Sequence, residues 1–532
     1  MASDLLKDKG VVGFVVNGSF IDSKGADGFR KCVAQEFSHL YVLNLRGNQR
    51  TSGEVSRKEG GKIFDSGSRA TIAIIFFVKD KSVNNNTIHY YDIGDYLKRE
   101  AKLNLLANFE NLDSVPFEKI TPNNKGDWIN QREDAFEKLI PLKRDKKLKI
   151  FNTIFDLNSN GVATNRDPWV YNFSKDALMQ NVQKCMDTYN ADLKRFNARF
   201  REAFKQRTKG VKPGDRYKHL NDKEITTDKT KIAWVQNLKT QLIKGKKLDD
   251  FSQEKISVSL YRPFNKQYFY YERELAWSFY SMKKIFPDKN AQNVVINTSS
   301  MASRNFSCLI ANEITDVQTM ANNQAYPLYY YDDLGNRHYA ISGYALNLFR
   351  KHYEDSSIVE EEIFYYIYAI LHHKGYLEKY KNSLAKEDPR IALSEDFKEL
   401  SILGKELAKL HLNYESGEMH ASVEYNLLEN AGMEGYYDVD KMTKKGDSII
   451  YNQNITITKI PQKAFDYVIN GKSAIDWVIE LYQKTMDKES LIENNPNDYA
   501  GSQYVFELLC RVITLSEKSV DLIEKISKKR FE

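Results

Sequence analysis

Two glycines, Gly10 and Gly18, bracket an apolar run at residues 11–17, which reads as a strand buried on both faces. A helical spacing of apolar positions follows at 27–37. Residues 39–45 then predict a second strand, residues 46–69 a polar glycine-containing loop, and residues 71–79 a third strand. Strand, helix, strand, loop, strand is the rhythm of an α/β sheet. Three strands and one helix are too few to close a doubly wound domain, so this reading expects neighbouring strands from a part lying before Met1.

From residue 81 the pattern loosens. A polar Asn-rich stretch at 81–86 leads into a mixed region with helical spacing near 95–108 and again near 128–139, read as a connector. A long helical pattern covers 177–207. Beyond residue 256 the texture turns aromatic and strand-like at 259–264, 267–271 and 293–297. Helices are expected at 360–371 and 396–412, a strand pattern at 448–460, and helices at 472–483 and from 504 to the end. The expected architecture is an α/β fragment of a Rossmann-like domain at 1–83, a connector at 84–150, and a large α+β region with a helical scaffold at 151–532.

Composition narrows the function classes. With 42% hydrophobic and 28% charged residues and only 26 Gly and 11 Pro in 532 positions, the chain has the balance of a folded protein. The four cysteines, Cys32, Cys185, Cys308 and Cys510, form no C-x-x-C pair, which argues against a zinc ribbon or a disulfide framework and favours a reducing cytoplasm. No run is apolar for long enough to span a bilayer, and the acidic start does not resemble a secretory signal. Net charge is only +6, so affinity for nucleic acid must come from a local basic surface.

Several chemistries lack their residues. There is no G-x-x-x-x-G-K-[ST] phosphate loop, and no two prolines are adjacent, so the polar-Pro-Pro-aromatic motif that holds a flipped adenine is missing. No glycine-rich turn follows an early strand to approach a nucleotide cofactor. None of the nine histidines has H-E-x-x-H spacing, and no metal is expected.

The second half of the 177–207 pattern carries Lys194, Arg195, Arg199, Arg201, Lys205 and Arg207, a spacing suited to tracking a phosphate backbone or simply to a solvated helix face. Arg166, beside Asn165, and Arg262 offer guanidinium groups for base edges or phosphates, or for internal structure. A polar cluster at 297–305, including Arg304 and Asn305, follows a predicted strand and reads either as a groove-reaching element or as an ordinary loop. Tyr365, Tyr366 and Tyr368 read as packing residues.

Distinctive segments carry a resemblance. Residues 10–79 are similar to the second half of a γ-class N6-adenine DNA methyltransferase domain. TNRDPWVYNFS at 164–174, SLYRPFNKQYFYY at 259–271, QAYPLYYY at 324–331, the segment 363–393, LAKLHLNYE at 407–415 and the segment 471–498 resemble the C-terminal region of type ISP restriction-modification enzymes. The resemblance implies recognition of double-stranded DNA within an adenine-methylating restriction system. It also implies S-adenosylmethionine as cofactor of the complete methyltransferase, none being expected for this chain alone, and no catalytic residue here. A separate chain carrying the missing methyltransferase half is a possible partner. Phe64, in the loop between the second and third strands, corresponds to a region that faces the flipped base in such methyltransferases, the other reading being a core phenylalanine. The alternatives are an inactive remnant or mis-started fragment of a full-length enzyme, and a regulator binding RNA or single strands.

Overall fold

The computed structural model describes residues 3–50, 53–64, 69–83, 86–145, 150–300, 306–420, 424–425 and 432–532. These form two compact units. The first comprises Met1–Ile140, Ser300–Phe306 and Gly375–Ile391; the second comprises Pro141–Ser299, Ser307–Lys374 and Ala392–Glu532.

The first unit is built on strands β1 (Lys9–Asn17), β2 (His39–Arg46), β3 (Ile72–Asp80), β4 (Thr87–Asp92) and β5 (Glu118–Ile120), with helix α1 (Asp27–Glu36) between β1 and β2. Their order across the sheet is β1-β3-β2-β4-β5. β3 runs antiparallel to both β1 and β2, and β4 lies parallel to β2. The sheet therefore takes two strands from beyond residue 83, within the stretch read as a connector. In the same stretch, the helical spacing near 128–139 yields only a short turn at Asp134–Lys138, because Phe136 alone of that turn is buried.

β2 and β3 fill the core with Leu40, Val42, Ala73 and Phe77. β1 does not behave as read. Among the described residues it pairs with β3 alone and occupies the sheet edge, where Val11, Phe14 and Val15 are each at least half exposed. Their apolar character reflects a surface, not burial on both faces.

A buried charge cluster ties this unit together. Asp127 accepts from Arg132 Nε at 2.8 Å and faces Arg30 at 3.4 Å and Lys386 at 3.6 Å, with Asp127 and Arg30 wholly buried. Burial would raise the Asp127 carboxyl, but the hydrogen bonds from Arg132 and the neighbouring cations hold it down at about 2.

The second unit carries a helical scaffold and three four-stranded sheets, one of them formed by the short strands at Glu424–Tyr425, Thr443–Lys445, Ser448–Ile450 and Thr456–Thr458. Its elements include β6 (Ser159–Asn160), helix α2 (Asp167–Val170), β7 (Tyr171–Asn172), helices α3 (Lys175–Arg199) and α4 (Arg201–Arg207), β8 (Ile256–Arg262) and β9 (Asn265–Tyr270). They continue with β10 (Val295–Thr298), β11 (Cys308–Ala311), β12 (Ile314–Thr315) and β13 (Gln324–Pro327). Of the other two sheets, one has the order β12-β8-β9-β7 and one β11-β10-β13-β6. The pattern at 177–207 is thus two helices, broken at Phe200, whose backbone leaves the helical region (φ −121°, ψ −18°).

The scaffold helices are α5 (Glu360–Ile370), α6 (Phe397–Leu412) and α7 (Tyr504–Ser527). Tyr366 and Tyr368 are fully buried in it, as packing residues should be. Gly404 of α6 permits close approach to α5, since a Cβ there would stand 2.0 Å from the Tyr365 carbonyl oxygen.

Candidate nucleic-acid interface

Residues 194–224 hold eleven lysines and arginines against four carboxylates, a surplus of seven positive charges and more than the net +6 of the whole chain. This segment is a local basic surface. Its cations are of two kinds. Lys194 and Arg199 on α3 and Lys209, Lys212 and Lys223 after α4 are exposed, with no carboxylate at ion-pair distance among the described residues. Arg195 instead meets buried Asp192 at 2.6 Å, Lys205 meets Glu202 at 2.7 Å, and Arg201 donates to Asn197 at 2.8 Å. Arg207 Nη2 donates to both carboxylate oxygens of buried Glu224, at 2.8 and 2.9 Å, and to the His219 carbonyl at 2.8 Å. Of the six cations picked out between 194 and 207, only Lys194 and Arg199 stand free of such bonds.

The other sequence candidates separate. Arg166 is buried and donates from Nη2 to Cys185 Sγ at 2.8 Å, so it supports the α2–α3 junction from inside and is corrected from a surface contact to an internal one. Arg262 Nη1 donates to Asp316 at 2.8 Å, its Nη2 lies 3.7 Å from Asp167, and its guanidinium stacks 3.8 Å from the Tyr261 ring centroid. Tyr261 in turn donates to Asp167 at 2.8 Å. Two carboxylates thus already occupy Arg262, leaving no free guanidinium for a phosphate. Arg304 and Asn305 lie outside the described residues. Earlier in that polar cluster, Asn297, Thr298 and Ser299 are buried, and Asn297 accepts from Asn323 at 2.7 Å, so they serve the sheet and not a groove. Phe64 is exposed in the first unit and is therefore no core residue. Its loop is pinned by Lys102, whose buried ammonium donates to the carbonyls of Leu45, Glu59 and Gly61 at 2.8 to 2.9 Å and whose pKa burial lowers to about 8.

A cleft of about 1090 Å³ opens beside the basic segment, with residues 222–234 as one wall. At its floor three of the distinctive sequence segments, 164–174, 259–271 and 471–498, meet. Asn494 accepts from the Phe173 backbone at 2.8 Å and donates to Gln267 at 3.1 Å, while Asn172 donates to the Glu493 carbonyl at 2.9 Å. Burial pushes the Asp316 carboxyl there up to about 7, against the opposing Arg262 charge. Six carboxylates line the cleft against three cations, whereas the neighbouring segment carries a surplus of positive charge. Gln267 and Asn494 are not legible in the sequence as site residues, although both lie in segments that carry the resemblance; amide side chains have no spacing signal of their own.

The family model of the Type ISP C-terminal specificity domain matches residues 153–508. The chain belongs to this family. Both the basic segment and the cleft fall inside the specificity-domain match. Three solved structures are similar over nearly the whole chain. A nuclease-deletion mutant of the type ISP restriction-modification enzyme LlaGI, in complex with a DNA substrate mimic, is 38% identical with a TM-score of 0.85; the match covers 100% of this chain and 40% of that one. The ATP-dependent type ISP restriction-modification enzyme LlaBIII bound to DNA is 34% identical with a TM-score of 0.86, over 100% of this chain and 33% of that one. The DrdV–DNA complex is 30% identical with a TM-score of 0.81, over 98% and 51%. The chain thus spans between a third and about half of the length of these proteins. No curated protein matches it.

Proposed function

We propose that the chain recognises a sequence in double-stranded DNA, as the specificity part of an adenine-methylating restriction-modification system in the cytoplasm. The observation that carries this is the surplus of seven positive charges on residues 194–224, a segment inside the specificity-domain match whose Lys194, Arg199, Lys209, Lys212 and Lys223 are exposed. Closely spaced exposed cations gain affinity by releasing counterions from the phosphates. The three solved relatives are described as bound to DNA or to a DNA substrate mimic, which supports the same reading. Among the described residues no helix is long and apolar enough to cross a membrane.

The first unit is read as the end of a Rossmann-like methyltransferase domain, and the free apolar edge of β1 supports this. A strand supplied by another part of a longer protein or by a separate methyltransferase chain would pair with that edge and cover Val11, Phe14 and Val15. S-adenosylmethionine is assigned to the complete methyltransferase, since no glycine-rich turn follows an early strand of this chain. Methyl transfer is therefore assigned to no residue of this chain.

Band shifts with the full chain over defined duplexes at low salt test the reading. Binding to duplex in preference to single strands is expected, and failure to bind any duplex overturns it. Methyl transfer from labelled S-adenosylmethionine by the pure chain overturns the assignment of catalysis elsewhere.

A further inference from the structure

The loop after α4 is not a free tether. Two buried carboxylates clamp its ends to the helices. Glu224, 2% exposed, takes the Arg207 guanidinium and also the Asn221 backbone N–H at 3.0 Å. Asp192, 1% exposed, accepts from the Thr226 N–H at 2.6 Å and the Thr226 hydroxyl at 2.9 Å while pairing with Arg195. Just beyond, Trp234 Nε1 donates to the Thr226 carbonyl at 2.8 Å. The short helical turn at Pro213–His219 is closed within itself, with Arg216 donating to the Val211 carbonyl at 3.2 Å and Lys218 paired with Asp215 at 2.6 Å. What the clamps leave outside is a lobe, residues 209–223, from which Lys209, Lys212 and Lys223 project unpaired.

We infer that this clamped lobe is a preformed phosphate-contacting element for duplex DNA. Lys209, Lys212 and Lys223 make the contacts together with Lys194 and Arg199 of α3, and Arg207 and Glu224 are positioning residues that touch no DNA. The inference rests on the DNA-recognition reading and adds to it a division of the basic segment into contacting and positioning charges. A lobe fixed before binding spends no ordering entropy on contact. Its far end leads into the cleft wall at 222–234, where three carboxylates balance three lysines, so the positive surplus lies on the lobe and on α3.

The experiment measures duplex affinity of the full chain against salt for wild type, for the triple variant Lys209→Ala, Lys212→Ala, Lys223→Ala, and for Glu224→Gln. Three lost phosphate contacts lower the slope of log K against log salt by about 2.7. The triple variant is expected to show this drop equally on every duplex, and a wild-type slope would overturn the inference. Glu224→Gln removes a negative charge, so electrostatics alone would tighten binding. Positioning predicts weaker binding with an unchanged slope, together with tryptic cleavage after Lys209 or Lys223 while the rest of the chain stays protected. Tighter or equal binding by Glu224→Gln would also overturn it. Wild-type binding is the control arm: if wild type binds no duplex the recognition reading itself has failed, whereas a binding wild type with unaltered variants defeats only the lobe.

Discussion

Arg262 Nη1 donates to Asp316 Oδ1 at 2.8 Å, and the same guanidinium stacks on Tyr261, whose hydroxyl is bonded to Asp167. One cation thus serves two carboxylates from separate segments at the cleft floor. Replacing Arg262 by Ala leaves Asp316 buried without its counter-charge, at an expected loss of roughly 3 kcal/mol. Urea unfolding should show that loss. The salt slope of DNA binding should stay at the wild-type value, because no phosphate contact is removed; a fallen slope would return Arg262 to the DNA-contacting set.

The scaffold holds a buried histidine pair. Tyr368 hydroxyl and His411 Nδ1 are 2.6 Å apart, His411 Nε2 lies 2.9 Å from Ser519 Oγ, and His372 Nδ1 lies 2.8 Å from the Tyr368 carbonyl. Burial lowers the His372 pKa to about 4, and burial with the nearby His372 lowers that of His411. Between pH 6.5 and 4 the unfolded chain takes up protons that the native state refuses, so stability falls as pH falls through that window. His372 alone contributes roughly 3 kcal/mol to the loss. In urea midpoints measured from pH 7 to 4.5, His372→Gln should flatten the dependence, and an unaltered slope would contradict the account.

How much of this was legible beforehand varies by element. β2, β3, α1 and the scaffold helices followed from periodicity because each has a buried face. The edge position of β1 did not, since an apolar run looks the same whether a neighbouring strand covers it or not. β4 and β5 were hidden because they are short and separated by polar stretches. The break at Phe200 was invisible because helical spacing continues on both sides of it. At the site, the basic segment could be read by counting charges. Which cations are free could not, as Glu224 is seventeen positions from its partner Arg207 and only the folded loop brings them together.

Asp127 offers a test of the first unit. It is the shared counter-charge of Arg30, Arg132 and Lys386. Asp127→Asn takes from Arg30 its carboxylate partner, while Arg132 keeps Glu387 at 2.7 Å and Lys386 keeps Asp22 at 2.6 Å, and should cost about 3 kcal/mol. Limited proteolysis should open the first unit at lower urea than in wild type. Equal resistance would show that the cluster contributes nothing to stability.

The exposed edge of β1 should make the isolated chain self-associate. Lysines at Val11 and Val15 would charge that edge and block pairing. Sedimentation velocity over a concentration series should show association in wild type and a monomer in the Val11→Lys, Val15→Lys double variant. Association unchanged by the double substitution would place the contact elsewhere.

The central claim, sequence-specific recognition of duplex DNA, is tested most directly by affinities of the full chain for a randomised duplex library at fixed low salt, read by sequencing the bound fraction. The account predicts enrichment of one short sequence, with each mismatch costing about 1–3 kcal/mol. A bound fraction with the composition of the input, or no bound fraction at all, would contradict it.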